Sequence, residues 1–178
     1  QEMQFGDGAA ALLLGTENVI AELVGSHQLA VDFVDHYRGA NEEFDYNWEE
    51  RWIRDEGYFK IVPRALEGLF NEVDVTPDQI DHLVMPTVMG AVPKKIAKMA
   101  GIKGEAVRSN LHAEMGESGT AHALVMLVDL LQEAKPGETI LVLGWGQGVD
   151  ALVFRTTDAI SQARACNGVK GSLARRRE

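Results

Sequence analysis

The stretch Ile140–Thr157, ILVLGWGQGVDALVFRTT, joins two apolar runs through Gly144-Trp145-Gly146-Gln147-Gly148. Both runs read as strands, the second because Val149–Thr157 is β-branched and strand-like. A dinucleotide-binding loop would run from a strand into a helix whose N-terminus holds the pyrophosphate. Here a strand follows instead. A phosphate-cradling loop would be followed by Gly-Lys-Ser or Gly-Lys-Thr, and none follows. Two uses of the glycines stay open. They can supply the positive φ angles of a tight hairpin. They can also form a turn whose exposed amides stabilise an oxyanion, with no side chain to keep a substrate carbonyl away.

Upstream, Glu117–Ala134 has the strongest helical pattern, and Pro136-Gly137 ends it. Val92–Ala100 predicts a helix stopped by Gly101, and His82–Pro86 a strand. Thr76-Pro77-Asp78-Gln79 reads as an N-cap, a proline at the first helical position and a capping-box partner. Tyr58–Val73 places Ile61, Val62, Ala65, Leu66, Leu69, Phe70 and Val73 at helical spacing. Asn41–Glu56 mixes seven acids (Glu42, Glu43, Asp45, Glu49, Glu50, Asp55, Glu56) with Phe44, Tyr46, Trp48 and Trp52. That mixture suits a solvated loop or helix pinned by its aromatics, or a cap over a pocket or partner surface. Ile20–Phe33 predicts a strand with a kink or bulge at Gly25-Ser26, and Ala9–Gly15 a buried strand. Strands interleaved with helices imply a layered α/β domain. Residues 159–178 lose the apolar periodicity and turn basic, which predicts a linker or tail beyond a domain spanning 1–158.

The 178 residues are 46% hydrophobic, enough for one domain with a core. A net charge of -10 argues against nucleic acid and against an anionic membrane surface as partners. No run spans a bilayer, no signal-peptide pattern opens the chain, and the single Cys166 excludes an internal disulfide, so a cytoplasmic protein is expected. No pair of histidines and cysteines has metal-ligand spacing, so no metal is expected. His122 reads as a packing or partner-facing residue of the long helix, and His27, His36 and His82 sit in no motif.

Five motifs in order carry a resemblance. Phe5-Gly6-Asp7-Gly8-Ala9-Ala10, Val84-Met85-Pro86, Ala100-Gly101-Ile102, Met115-Gly116-Glu117-Ser118-Gly119 and the Ile140–Phe154 hairpin resemble the C-terminal half of condensing enzymes of the thiolase fold. The nearest types are 3-oxoacyl-acyl-carrier-protein synthase III and hydroxymethylglutaryl-CoA synthase-like proteins. The resemblance implies a thiolase-like layered α/β/α half-domain with a mixed sheet. It implies Claisen-type acyl transfer on an acyl-CoA or acyl-carrier-protein substrate, with coenzyme A as substrate carrier and no other cofactor. The nucleophilic cysteine would lie in an N-terminal thiolase half, so this half alone would be inactive, and a homo-oligomer is expected. Cys166 matches no catalytic motif and reads as a free thiol.

The resemblance also assigns roles. Gly146 would donate its backbone N–H to the thioester oxygen. Thr87 stands where synthase III has a histidine after its proline; it can donate a hydrogen bond but is no base near neutral pH. Glu117 falls at the asparagine of a Gly-Asn turn, next to Gly116, and is a candidate acid/base. In the register of degradative thiolases, His112 would be the active histidine, with an imidazole suited to proton transfer near neutrality. Thr87 and Gly116 are candidate substrate-binding positions. The losses at Thr87 and Glu117 leave a non-catalytic scaffold or acyl-CoA binder as one alternative, and the His112 register leaves a degradative 3-ketoacyl-CoA thiolase as another.

Overall fold

The structure, a computed structural model, describes residues 4–163 and 167–175. The chain builds strand β1 (Ala21–Ala30), a small ribbon of β2 (His36–Tyr37) and β3 (Tyr46–Asn47), and a continuous helical stretch. That stretch starts as α1 (Glu50–Trp52), widens to a π-helical turn at Ile53–Tyr58 and continues as α2 (Phe59–Glu72). Strand β4 (His82–Val84) and helices α3 (Val92–Ala100), α4 (His112–Met115) and α5 (His122–Leu131) follow. The hairpin of β5 (Thr139–Gly146) and β6 (Gly148–Thr156) comes next, then α6 (Gly168–Leu173).

The main sheet has the order β1-β6-β5-β4. β6 runs antiparallel to β1 and β5, while β4 and β5 are parallel, so the sheet is mixed as expected. Side chains alternate across β5, and this divides the core. Leu141 and Leu143 join α2 and α3 residues such as Leu66, Leu69 and Ile96 on one face. Ile140 and Val142 join Val125, Leu127 and Leu130 of α5 on the other. The result is an α/β/α sandwich around the opening hairpin.

The hairpin answers half of the question its glycines raise. Gly148 has φ +127°, a conformation that side chains rarely adopt, and a Cβ there would run into the Leu29 carbonyl of β1. Gly146 has no such requirement, since a Cβ would meet nothing within 4 Å. One glycine makes the turn, and the other is free of any demand from the fold.

Several expectations change. Ala9–Gly15 forms no strand; Leu13 is 101% and Leu14 87% exposed. No strand of the described residues pairs with this segment, and an apolar run without a ladder partner gains nothing from extending. The long helix begins at His122 rather than Glu117, because Gly116 (φ +71°) and Gly119 (φ +64°) break the helical path. The bulge of β1 falls between Leu23 and Gly25, one step from its predicted place. The stretch 159–178, expected as a linker or tail, packs in its described part: Ile160 and Val169 are buried, and Gln132 Oε1 of the α5 end accepts from Val169 N at 2.9 Å. Cys166 lies outside the described residues, as do Arg176, Arg177 and Glu178.

The acidic, aromatic stretch contains β3, which pairs with β2 just upstream of it, and α1, where Glu49 caps the amides of Arg51 and Trp52 at 3.1 and 2.9 Å. Its rings form a ladder into the core. Tyr37, Tyr46, Trp48 and Trp52 follow one another at centroid distances of 5.4, 6.1 and 5.7 Å. Trp52 stacks on Phe33 at 4.5 Å, Phe33 meets Trp145 at 5.7 Å, and Trp145 stacks on Tyr58 at 4.3 Å. The aromatics therefore do pin this segment to the hairpin.

Candidate functional site

The turn between α4 and α5 gathers the chemistry. Leu111, buried and with φ +57°, redirects the chain so that His112 opens α4. A non-glycine residue in that conformation stores strain that its packing must hold. Gly116 then reverses the chain. A Cβ on it would strike the backbone of Gln4, Phe5 and Gly6, which clamp the turn from outside. Gly6 N donates to Glu117 O at 2.9 Å, and Glu117 N to Gln4 O at 2.7 Å. The Phe-Gly-Asp-Gly motif is thus the strap that fixes Glu117.

The Glu117 carboxylate sits between two imidazoles. His112 Nε2 lies 3.1 Å from Oε2, and His122 Nδ1 3.1 Å from Oε1. Gly119 N donates to Oε1 at 3.1 Å. Burial acts to raise the Glu117 pKa, but hydrogen bonds from His122 and His112 outweigh it and hold the carboxyl below its usual range. For His122, burial acts downward, and the Glu117 hydrogen bond and the Asn110 carbonyl reverse it, so its pKa is raised. His122 is fully buried, and its Nε2 donates to Asn110 O at 2.7 Å. Its Nδ1 also faces Ser118 N–H at 3.0 Å. An imidazole nitrogen needs a lone pair for that donor and a proton for Glu117, so Nδ1 serves one of them at a time. Ligand atoms of His112, Glu117 and His122 all lie within 4.8 Å of one another, so these three residues could hold a metal ion.

Asn110 ties this cluster to the rest. Its Nδ2 donates to Thr87 O at 3.1 Å, and its Oδ1 accepts from His112 N at 3.3 Å. Thr87 is buried; its Oγ1 accepts from Met89 N at 3.0 Å and shares a hydrogen bond with the Tyr58 hydroxyl. Burial pushes the Tyr58 hydroxyl far above its ordinary range, so it stays protonated. Tyr58 stacks on Trp145, which adjoins Gly146, and Trp145 Nε1 donates to Asp35 Oδ2 at 2.9 Å. A continuous path thus runs from the glycine turn through Trp145, Tyr58, Thr87 and Asn110 to the His112–Glu117 pair.

Of the residues singled out in the sequence, His112, Gly116 and Glu117 come together. Thr87 supports them from beneath and presents no free hydroxyl. Gly146 stands at the other end of the path. Asn110 and Tyr58 do not stand out in the sequence, while His122, expected as a packing or partner-facing residue, is fully buried and also meets Glu117. The one signal for His122 was its spacing of five residues from Glu117, mirrored by His112 on the other side. The other histidines have carboxylate partners elsewhere: His27 with Glu72 at 3.0 Å, His36 with Asp35 at 2.6 Å and His82 with Glu138 at 2.9 Å. Among the described residues no helix is long and apolar enough to cross a membrane.

Comparisons with known proteins find a family profile, curated relatives and solved structures similar to this chain. The profile described as 3-oxoacyl-[acyl-carrier-protein (ACP)] synthase III C terminal matches residues 70–155. A hydroxymethylglutaryl-CoA synthase of Methanopyrus kandleri is 29% identical over 160 residues, covering 88% of this chain and 45% of that protein. The corresponding protein of Caldivirga maquilingensis is 31% identical over 162 residues, 89% of this chain and 46% of its own length. The crystal structure of 3-oxoacyl-[acyl-carrier-protein] synthase III from Aquifex aeolicus superposes with a TM-score of 0.65 at 15% identity, over 79% of this chain and 46% of that one. This chain spans about half the length of the curated relatives it matches.

Proposed function

We propose that this chain, which is similar to the C-terminal half of thiolase-fold condensing enzymes, completes the active site of an acyl-thioester condensing enzyme. A companion N-terminal half supplies the cysteine that carries the acyl group. His112 and Glu117 supply the acid/base pair, and Gly146 supplies a backbone N–H for the thioester oxygen. A Claisen condensation forms an enolate from one thioester and a tetrahedral oxyanion on another, and both require donors positioned in advance.

The observation that carries this reading is the His112–Glu117 pair, joined at 3.1 Å beside an open cavity of about 890 Å³ that His112 lines. A carboxylate bound to one imidazole nitrogen orients the ring and leaves the other nitrogen to act. That suits His112 to take a proton from a thioester α-carbon or a thiol and return it later. Gly146 supports the reading from the other end of the path: the fold does not require glycine there, whereas a carbonyl approaching the backbone does.

The test uses the protein joined to its companion half. It is incubated with acetyl-CoA and longer acyl-CoAs, and its intact mass is measured. An acyl adduct on a cysteine, followed by condensation that His112→Ala abolishes without unfolding, is the expected result. Release of acetyl-CoA from a 3-ketoacyl-CoA and free CoA, without condensation, would make it a degradative thiolase. A folded protein that forms no adduct would be a scaffold or binder.

A further inference from the structure

We infer that His112, Glu117 and His122 form a binding site for a divalent cation of the zinc class. The inference stands on the geometry of the cluster and does not depend on the condensing reading. Three features support it.

First, the donors converge from separate segments: the start of α4, the turn and the start of α5. Each imidazole nitrogen lies 3.1 Å from an oxygen of Glu117. Zinc bonds of about 2.0–2.1 Å in a tetrahedron put neighbouring donors a little over 3 Å apart. Both separations are close to one such edge, each to a different oxygen of Glu117, and the ligand atoms of all three residues lie within 4.8 Å of one another.

Second, the buried imidazole is set up as a ligand. His122 Nε2 donates to the Asn110 carbonyl at 2.7 Å, so that nitrogen carries the hydrogen and Nδ1 is left to bind. A metal-bound histidine commonly gives its other N–H to a carbonyl or carboxylate in this way. Asn110 also accepts from the His112 backbone amide, so one residue orients the His122 ring and holds the backbone that carries His112. The ion would replace the Ser118 N–H contact to Nδ1 and the direct contacts of both imidazoles with Glu117.

Third, the site has an entrance. His112 borders the open cavity, so an ion held by three protein donors would keep a coordination position toward it for water or a carbonyl oxygen. Two imidazoles and one carboxylate suit zinc, cobalt or nickel and disfavour magnesium and calcium, which prefer oxygen. A bound ion would take up the lone pairs that His112 and Glu117 need for proton transfer, so the two uses of the cluster exclude each other.

The test is a titration of the metal-stripped protein with cobalt chloride, in the absence of any thioester. Uptake of one equivalent with a visible d–d band, displaced by zinc chloride and unaffected by excess magnesium chloride, is the expected outcome. Glu117→Gln and His112→Gln should each weaken cobalt binding by at least about 100-fold, since loss of an outer-shell partner alone costs 10–100-fold. Circular dichroism and thermal melting establish that both variants are folded. No uptake, or uptake equal in both folded variants, would overturn the inference. A protein that binds no cobalt can still form an acyl adduct, and one that binds cobalt can fail to, so the two readings fall separately.

Discussion

Two short stretches of this chain are almost the same in composition and opposite in fate. Ala11–Gly15 reads Ala-Leu-Leu-Leu-Gly, and Ile140–Gly144 reads Ile-Leu-Val-Leu-Gly. In the second, Leu141 and Leu143 are 0% and 1% exposed. In the first, Leu13 and Leu14 lie almost entirely in solvent. The difference comes from the neighbours. β5 has β6 on one side and β4 on the other, so its amides are paired and both faces are covered by helices. The early segment has a strap at one end, where Gly6 bonds Glu117, and no ladder along its length. Apolar composition supplies the driving force for burial, and partner strands decide whether it is realised.

The largest expected effect breaks that comparison directly. Leu141→Ala should destabilise the protein by about 2–5 kcal/mol, the range for emptying a closed core site. Leu14→Ala should change stability by less than about 0.5 kcal/mol, as for an exposed position. Urea midpoints of the two variants provide the check. A cost above about 1 kcal/mol at Leu14 would mean that the early run is buried in solution.

The same contrast recurs within the hairpin turn, on a smaller scale. Gly148→Ala places a side chain at φ +127° against the Leu29 carbonyl and should cost about 1–3 kcal/mol. Gly146→Ala meets nothing and should leave stability within about 0.5 kcal/mol of the parent. The first variant should shift the thermal midpoint. The second should leave it in place and, if the condensing reading holds, reduce acyl transfer. Equal destabilisation by both would remove the argument that Gly146 is kept for a ligand.

Local pattern made much of the fold legible. The hairpin, the helices α2 and α3, and β4 all follow from periodicity and turn residues at close to their observed bounds. The early strand was misread because a strand's partner is a distant segment that the run itself does not describe. The start of α5 was misread because the apolar pattern continues through Gly116 and Gly119, and the glycines outweigh it. In the site, His112, Gly116 and Glu117 were legible from their motif. Asn110 was not, because its role rests on a backbone carbonyl and an amide that any residue sequence could place elsewhere. His122 was read as packing because helical spacing gives a face and not the partner met there. Tyr58 was hidden because its position follows from the π-helical turn, which shifts it relative to an ordinary helix.

The smallest effect concerns how β5 is held at its start, where the early segment has no equivalent. Glu138 Oε2 accepts from Lys135 N at 2.8 Å and pairs with His82 Nε2 of β4 at 2.9 Å. Burial acts to raise the Glu138 pKa, but the Lys135 amide and then His82 outweigh it, leaving the carboxyl below its ordinary 4.5. A carboxyl whose pKa is lowered by folding binds its proton less readily in the folded state than in the unfolded one. Its contribution is therefore complete above the unfolded value and is lost as pH falls through the folded one. The pair is partly exposed, so the contribution should be below about 1 kcal/mol. Glu138→Gln keeps an oxygen for the Lys135 amide and removes the charge. The variant should be slightly less stable than the parent at about pH 6, and the gap should close on acidification to about pH 3. Urea midpoints across that range provide the measurement. Parallel curves would show that the parallel β4–β5 pairing is held by its backbone ladder and its core contacts alone. Convergence would show that a charge at the strand's first turn helps set the register that Ala11–Gly15 lacks.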